Sequence, residues 1–198
     1  MRNLLLLFLC GFPFFGFAQG AFNIPKHQIG ISYFGETLLH PGVVLSYDHS
    51  WKSFLIEKTS KKGKVKDKLY SLEYGVRVGG YNFTRNHTGL FLAPILTMTR
   101  TTPKGSFYRM GFQAGGIAKI LNAPVFDLAN STSSPGMQDR YLYFMGGFRL
   151  GVGKDLSVKH PKLPLKWQLG SSLFFTHPFS SSQLWQNAIE LGLTWKIG

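Results

Sequence analysis

The stretch that decides the fold is Asn187-Ala188-Ile189-Glu190-Leu191-Gly192-Leu193-Thr194-Trp195-Lys196-Ile197. Every second residue from Ile189 to Ile197 is large and apolar, and those between are small or polar. A strand sends successive side chains to opposite faces, so this segment has one greasy face and one polar, partly charged face. In a soluble sheet the greasy face meets a core. When the pattern recurs along a secreted chain, it meets lipid.

The same period runs upstream. Alternation predicts strands over 27–34, 42–58, 65–83, 88–100, 106–120, 140–154, 164–177 and 184–197, with no helix-period segment. Tyr70, Leu72, Tyr74, Val76 and Val78 oppose Ser71, Glu73, Gly75, Arg77 and Gly79. Tyr108, Met110 and Phe112 oppose Arg109, Gly111 and Gln113, and Phe148, Leu150 and Val152 oppose Gly147, Arg149 and Gly151. The segment holding Pro94 is the least regular. Glycine falls on the polar face in strand after strand. A barrel of about eight strands has an interior only wide enough for side chains. Charges pointing inward would therefore require small residues at the other inward positions. Bulky apolar residues outside and glycine inside is the inverse of a soluble barrel. The expected fold is all-β, an eight-stranded antiparallel up-and-down transmembrane β-barrel. A β-sandwich with one polar face is the competing architecture.

At the other end, Met1-Arg2-Asn3 is a positive start and Leu4 to Phe17 an apolar run interrupted by Pro13. Gly16-Phe17-Ala18 supplies small residues where a signal peptidase reads. Residues 1–18 are expected to be a signal peptide and 19–198 the barrel. Loss of the signal removes Cys10, the only cysteine of the chain, and with it any disulfide or thiolate chemistry. After the signal no run approaches the ~20 apolar residues of a spanning helix.

An even strand count puts both termini on one side. A periplasmic start sends the connections 35–41, 84–87, 121–139 and 178–183 to the exterior, and 59–64, 101–105 and 155–163 to the periplasm. Trp51, Tyr70, Tyr108, Trp167 and Trp195 would form a periplasmic aromatic belt, with Trp185 the best member of the opposite one.

The inward set Glu73, Arg77, Arg109, Arg149, Lys166 and Glu190, with Asp48 beside it, is the constellation of most interest. Isolated charges in a narrow lumen are costly, so these are expected to pair into a structural polar network that plugs the bore; a narrow gated pore is the alternative. Lys58 to Lys68 holds six lysines and one aspartate, and the chain carries a formal net charge of +13. This basic hairpin is read as a solvated tip or a contact for anionic headgroups or an acidic partner. The six histidines, His27, His40, His49, His87, His160 and His177, show no metal spacing. His49-Ser50 point to opposite faces, and His177-Pro178-Phe179-Ser180 falls in a turn, so no hydrolytic pair forms on one face. No cofactor, no metal and no nucleic-acid partner are expected.

Gly192-Leu193-Thr194-Trp195-Lys196-Ile197 resembles the C-terminal β-signal of bacterial outer-membrane proteins, with Glu190, Gly192, Trp195 and Ile197 in its polar, glycine and two apolar places. It departs in ending on Ile rather than Phe and in the trailing Gly198. The resemblance implies recognition of this edge strand by the outer-membrane assembly machinery through β-pairing. The chain after the signal resembles small eight-stranded outer-membrane barrels such as the OmpA transmembrane region, OmpX and OmpW. Phe17-Ala18-Gln19, Ser32-Tyr33-Phe34-Gly35-Glu36-Thr37 and Asn86-His87-Thr88-Gly89-Leu90-Phe91-Leu92 resemble Bacteroidota members. The resemblance implies a multi-pass outer-membrane protein. It would contact membrane lipid, including lipopolysaccharide, as a non-enzymatic structural or accessory subunit of a larger membrane complex. A lipid A-modifying enzyme and a soluble secreted ligand-binding barrel are the rival readings.

Overall fold

The alternating pattern builds eight strands: β1 (His27–Gly35), β2 (Gly42–Thr59), β3 (Val65–Phe83), β4 (His87–Thr101), β5 (Ser106–Leu121), β6 (Arg140–Asp155), β7 (Leu165–Phe179) and β8 (Ser182–Ile197). The computed structural model describes residues 25–35, 41–59, 65–83, 87–121, 140–179 and 182–197. Each strand pairs antiparallel with its neighbours in sequence, and β8 returns to β1, so the sheet closes on itself as a barrel. Closure removes every long free edge from the wall. The seam runs from His27 opposite Ile197 to Gly35 opposite Ile189.

Burial follows the alternation. Leu191 and Phe148, both expected to face outward, are 56% and 54% exposed. Glu73, Arg77, Arg109, Arg149, Lys166 and Glu190 are buried inside the ring. The expected strands match the observed ones to within two residues at each end. The expected signal 1–18 and the 121–139 connection after Leu121 lie outside the described residues, as does the 60–64 tip of the basic hairpin.

Three local details have chemical causes. Pro94 has no N–H, and the pairing of β4 with β5 is interrupted between Leu92 and Ile95, resuming in the same register. Near the end of β7 the register shifts between Thr176 and Phe179, where Pro178 again removes a donor. His177-Pro178-Phe179 therefore belong to β7 rather than to the turn expected there. Between β4 and β5 the chain turns at Gly105, whose φ of 81° suits glycine; its N–H donates to Thr102 O at 2.9 Å. A single 3₁₀ turn at Leu156–Val158 follows β6, capped by the Asp155 carboxylate.

The expected polar plug fills only part of the bore. One end of the bore, on the side of the β1–β2 and β3–β4 connections, is filled by Phe34, Val44, Tyr81, Phe91, Ala93, Ile117, Met145, Phe174 and Ala188. Phe34 sits centrally, with ring centroids 5.3 Å from Phe91 and 5.9 Å from Phe174. Inward glycines on neighbouring strands leave space that aromatic rings take, so the bore is filled by volume rather than by charge alone.

Candidate functional site

The polar part of the bore divides into two ion-pair clusters. In the first, Arg77 on β3 donates from Nη2 to Glu190 Oε1 at 2.7 Å, and Arg149 on β6 donates from Nε to Glu190 Oε2 at 2.8 Å. Ser172 on β7 also donates to Glu190, and Gln113 Oε1 accepts from Arg77. Glu190 is 0% exposed. Two guanidinium groups thus share one carboxylate, and four strands converge on it.

The second cluster lies nearer the termini. Arg109 on β5 donates from Nη2 to Glu73 Oε2 at 2.7 Å and from Nη1 to Asp48 Oδ2 at 3.3 Å. Glu73 also accepts from Ser71 at 2.9 Å and from Thr99 and Gln28 at longer range. Lys166 does not reach a carboxylate directly. Its Nζ donates to Gln28 Oε1 at 2.9 Å, and Gln28 in turn donates to Glu73. Two cations and two carboxylates balance here, whereas the Glu190 cluster holds one more positive charge than negative. At the rim beyond it, Lys196 pairs with Asp155 and donates to Ser157 Oγ at 2.6 Å.

The structure therefore brings together all six expected lumen residues, and Asp48 with them, but in two groups rather than one network. Glu73 and Glu190 share no hydrogen-bond partner. Sequence reasoning missed Gln28, Gln113, Gln168, Ser172 and the Lys196–Asp155 pair. Each lies at an inward position of its strand, so the alternation carried the signal, but neutral polar residues did not stand out from it. The residues expected to form a β-signal split between faces: Glu190 and Gly192 point inward, and Trp195 and Ile197 outward.

Two histidines treated as scattered are neighbours. His27 and His49 stand opposite each other on β1 and β2, with ring centroids 4.8 Å apart, and His27 Nδ1 lies 2.6 Å from the Tyr47 hydroxyl. Among the described residues no group of three His, Cys, Asp or Glu side chains is placed to hold a metal ion.

The outer wall is continuous in apolar character around the ring. One polar interruption is matched by a neighbour: Ser171 donates to Asn187 Oδ1 at 2.6 Å on the outer face. Trp51, Tyr108, Trp167 and Trp195 are exposed towards the terminal end, and Trp185 towards the other.

No family model matches the chain, and no curated protein matches it. The N-terminal β-barrel domain of Pseudomonas aeruginosa OprF, known from a crystal structure, is similar at 15% identity over 87% of this chain and the whole of that one, with a TM-score of 0.43. At that level of likeness no property of that domain carries over to this chain.

Proposed function

We propose that this chain is an integral β-barrel of the bacterial outer membrane, non-enzymatic and with a closed bore, that serves as a structural or accessory subunit of a larger outer-membrane complex. The observation that carries the reading is the inverted polarity of the wall. Leu, Ile, Val, Phe and Met cover the outside, while Arg, Lys, Asp and Glu are buried inside. Water gives no reason to spread so much apolar surface over an exterior, and hydrocarbon does.

The dimensions agree. Trp185 and Trp195 both face outward on β8, ten residues apart. At about 3.3 Å per residue they stand roughly 33 Å apart along the strand. A strand tilt of about 40° brings this to roughly 25 Å along the barrel axis, the height of the apolar band of an outer-membrane barrel. Tryptophan at both edges suits the two interfaces.

A soluble ligand-binding barrel would carry its apolar residues inside around a cavity. Here the apolar inward residues pack on one another, and the rest of the bore holds ion pairs. Among the described residues the bore is filled and the outer wall is the broad apolar surface, which supports binding towards membrane lipid, lipopolysaccharide and partner proteins. The assembly machinery would act on β8 before closure.

The test is twofold. Unboiled and boiled samples from the membrane fraction should migrate differently on a denaturing gel, as a closed barrel in detergent does. Affinity purification from detergent-solubilised outer membranes should return a stoichiometric partner. Recovery of the chain in the soluble fraction would defeat the membrane assignment, and recovery of the barrel alone would defeat the subunit role.

A further inference from the structure

We infer that the outer wall carries a binding site for an anionic phospholipid of the periplasm-facing leaflet, centred on Arg100. This inference rests on the membrane reading above and adds a specific ligand class to it.

Arg100 is an outward residue of β4, at the end of the barrel nearer the termini. Tyr70 on β3 and Tyr108 on β5 are its direct cross-strand partners, so the cation stands between two outward phenols. Cross-strand neighbours lie about 5 Å apart, close enough for one headgroup to touch all three. The Arg100 Nε is buried, so a headgroup would meet the terminal amino groups of the guanidinium, whose planar, permanent charge at a membrane interface suits a phosphate oxygen.

The wall beside it is not smooth. A groove of about 660 Å³ runs from Tyr70, Arg100 and Tyr108 across β5 to β7. Its lining follows two adjacent rows of the strand register. One row is Arg100, Tyr108, Val152 and Leu169; the next is Met98, Met110, Leu150 and Ser171. The small Ser171 side chain keeps this part of the wall low. The long side chains of Met98 and Met110 are adaptable walls for a flexible chain. The groove therefore has a cationic, hydroxyl-bearing end at the interface and an apolar body pointing into the membrane, which is the polarity of a phospholipid.

Charge favours the anionic species. Lys68 on β3 and Lys154 on β6 occupy the next outward positions towards the rim, two residues beyond Tyr70 and Val152. Both strengthen the local positive potential, at about 1 kcal/mol per basic residue near an anionic surface. A zwitterionic headgroup would fit the groove but gain less from these cations.

The experiment uses the full chain refolded in detergent and delipidated. Insertion into phosphatidylcholine vesicles, scored by the mobility of unboiled samples, comes first. Native mass spectrometry then measures retention of phosphatidylglycerol against phosphatidylcholine for the wild type, Arg100→Gln, Met110→Trp and Lys52→Gln. The expected result is a wild-type preference for phosphatidylglycerol that falls about fivefold in Arg100→Gln. Met110→Trp, which fills the groove and keeps the cation, should lower retention of both lipids, and Lys52→Gln, outside the groove, should behave as wild type. A barrel that inserts normally but holds the two lipids equally, or holds phosphatidylglycerol as well without Arg100, overturns the site and leaves the membrane reading standing. Failure of the wild type to insert overturns both.

Discussion

Arg77 reaches across the bore from β3 to Glu190 on β8, 113 residues later, and donates a hydrogen bond at 2.7 Å to a carboxylate with no exposure to solvent. Arg149 binds the other oxygen of the same group. The middle of the barrel is therefore held by a single anion between two cations, and its removal is the most damaging change of charge the bore offers.

Glu190→Gln should destabilise the barrel by about 3 to 5 kcal/mol, because two buried guanidinium groups lose their counter-charge at once. Glu73→Gln should cost less, since Arg109 keeps Asp48. The temperature at which unboiled samples lose their fast gel mobility, measured on refolded protein in detergent, ranks the two. Equal losses would mean that the clusters are not organised as described.

A double-mutant cycle separates the clusters directly. Glu73→Gln and Glu190→Gln share no hydrogen-bond partner, so the coupling between them should be smaller than between a bonded pair. Arg77→Met and Glu190→Gln, by contrast, should show a coupling of about 1 kcal/mol or more, because each removes the other's partner. Strong coupling between the two glutamates would show one network instead of two.

Two adjacent glycines on β5 should respond in opposite ways to alanine. A Cβ on Gly115 points inward and falls against the Leu92 carbonyl oxygen and the Ala93 backbone, neither of which can step aside alone. On Gly116 it points outward and meets nothing closer than 4.0 Å. Gly115→Ala should lower stability by about 1 to 3 kcal/mol, while Gly116→Ala should be neutral or slightly stabilising. Urea titration of both variants in micelles gives the comparison.

The aromatic half of the bore makes a prediction of its own. Phe174 is buried against Phe34 in the apolar cluster, and Phe174→Ala should cost about 3 to 5 kcal/mol. In planar bilayers the wild type should carry no steady current, since packed rings close one end and paired charges fill the rest. A steady conductance from the wild type would show that this filling opens.

Most of the wall was legible in the sequence, because every strand but the nine-residue β1 runs fifteen residues or more, and a period of two held that long has one structural reading. Residues such as Phe148, Leu150 and Val152 declared their face without help from neighbours. The bore was legible only in part. Its charged members stood out as ions at inward positions, but which cation met which anion depends on how far each strand is staggered around the ring, and no local pattern records that. Thus Lys166, expected in the polar network, joins Glu73 through Gln28. The inward Phe34, Phe91 and Phe174 were hidden for a different reason: an apolar residue on a polar face looks like noise until opposite strands bring three of them together. The inward glycines were read as room for charged side chains. At Gly75 and Gly115 they also make room for the neighbouring strand's own backbone.

The seam between β1 and β8 has a temporal meaning. Glu190 lies on the final strand, so Arg77 and Arg149 have no counter-ion until that strand docks. Before then the half-built sheet is an open trough lined with guanidinium groups that must stay hydrated. Pairing of these guanidinium groups and closure of the ring therefore come with the same strand. A chain stalled short of residue 190 would lack the carboxylate that Arg77 and Arg149 both bind, and would leave β1 without its partner strand.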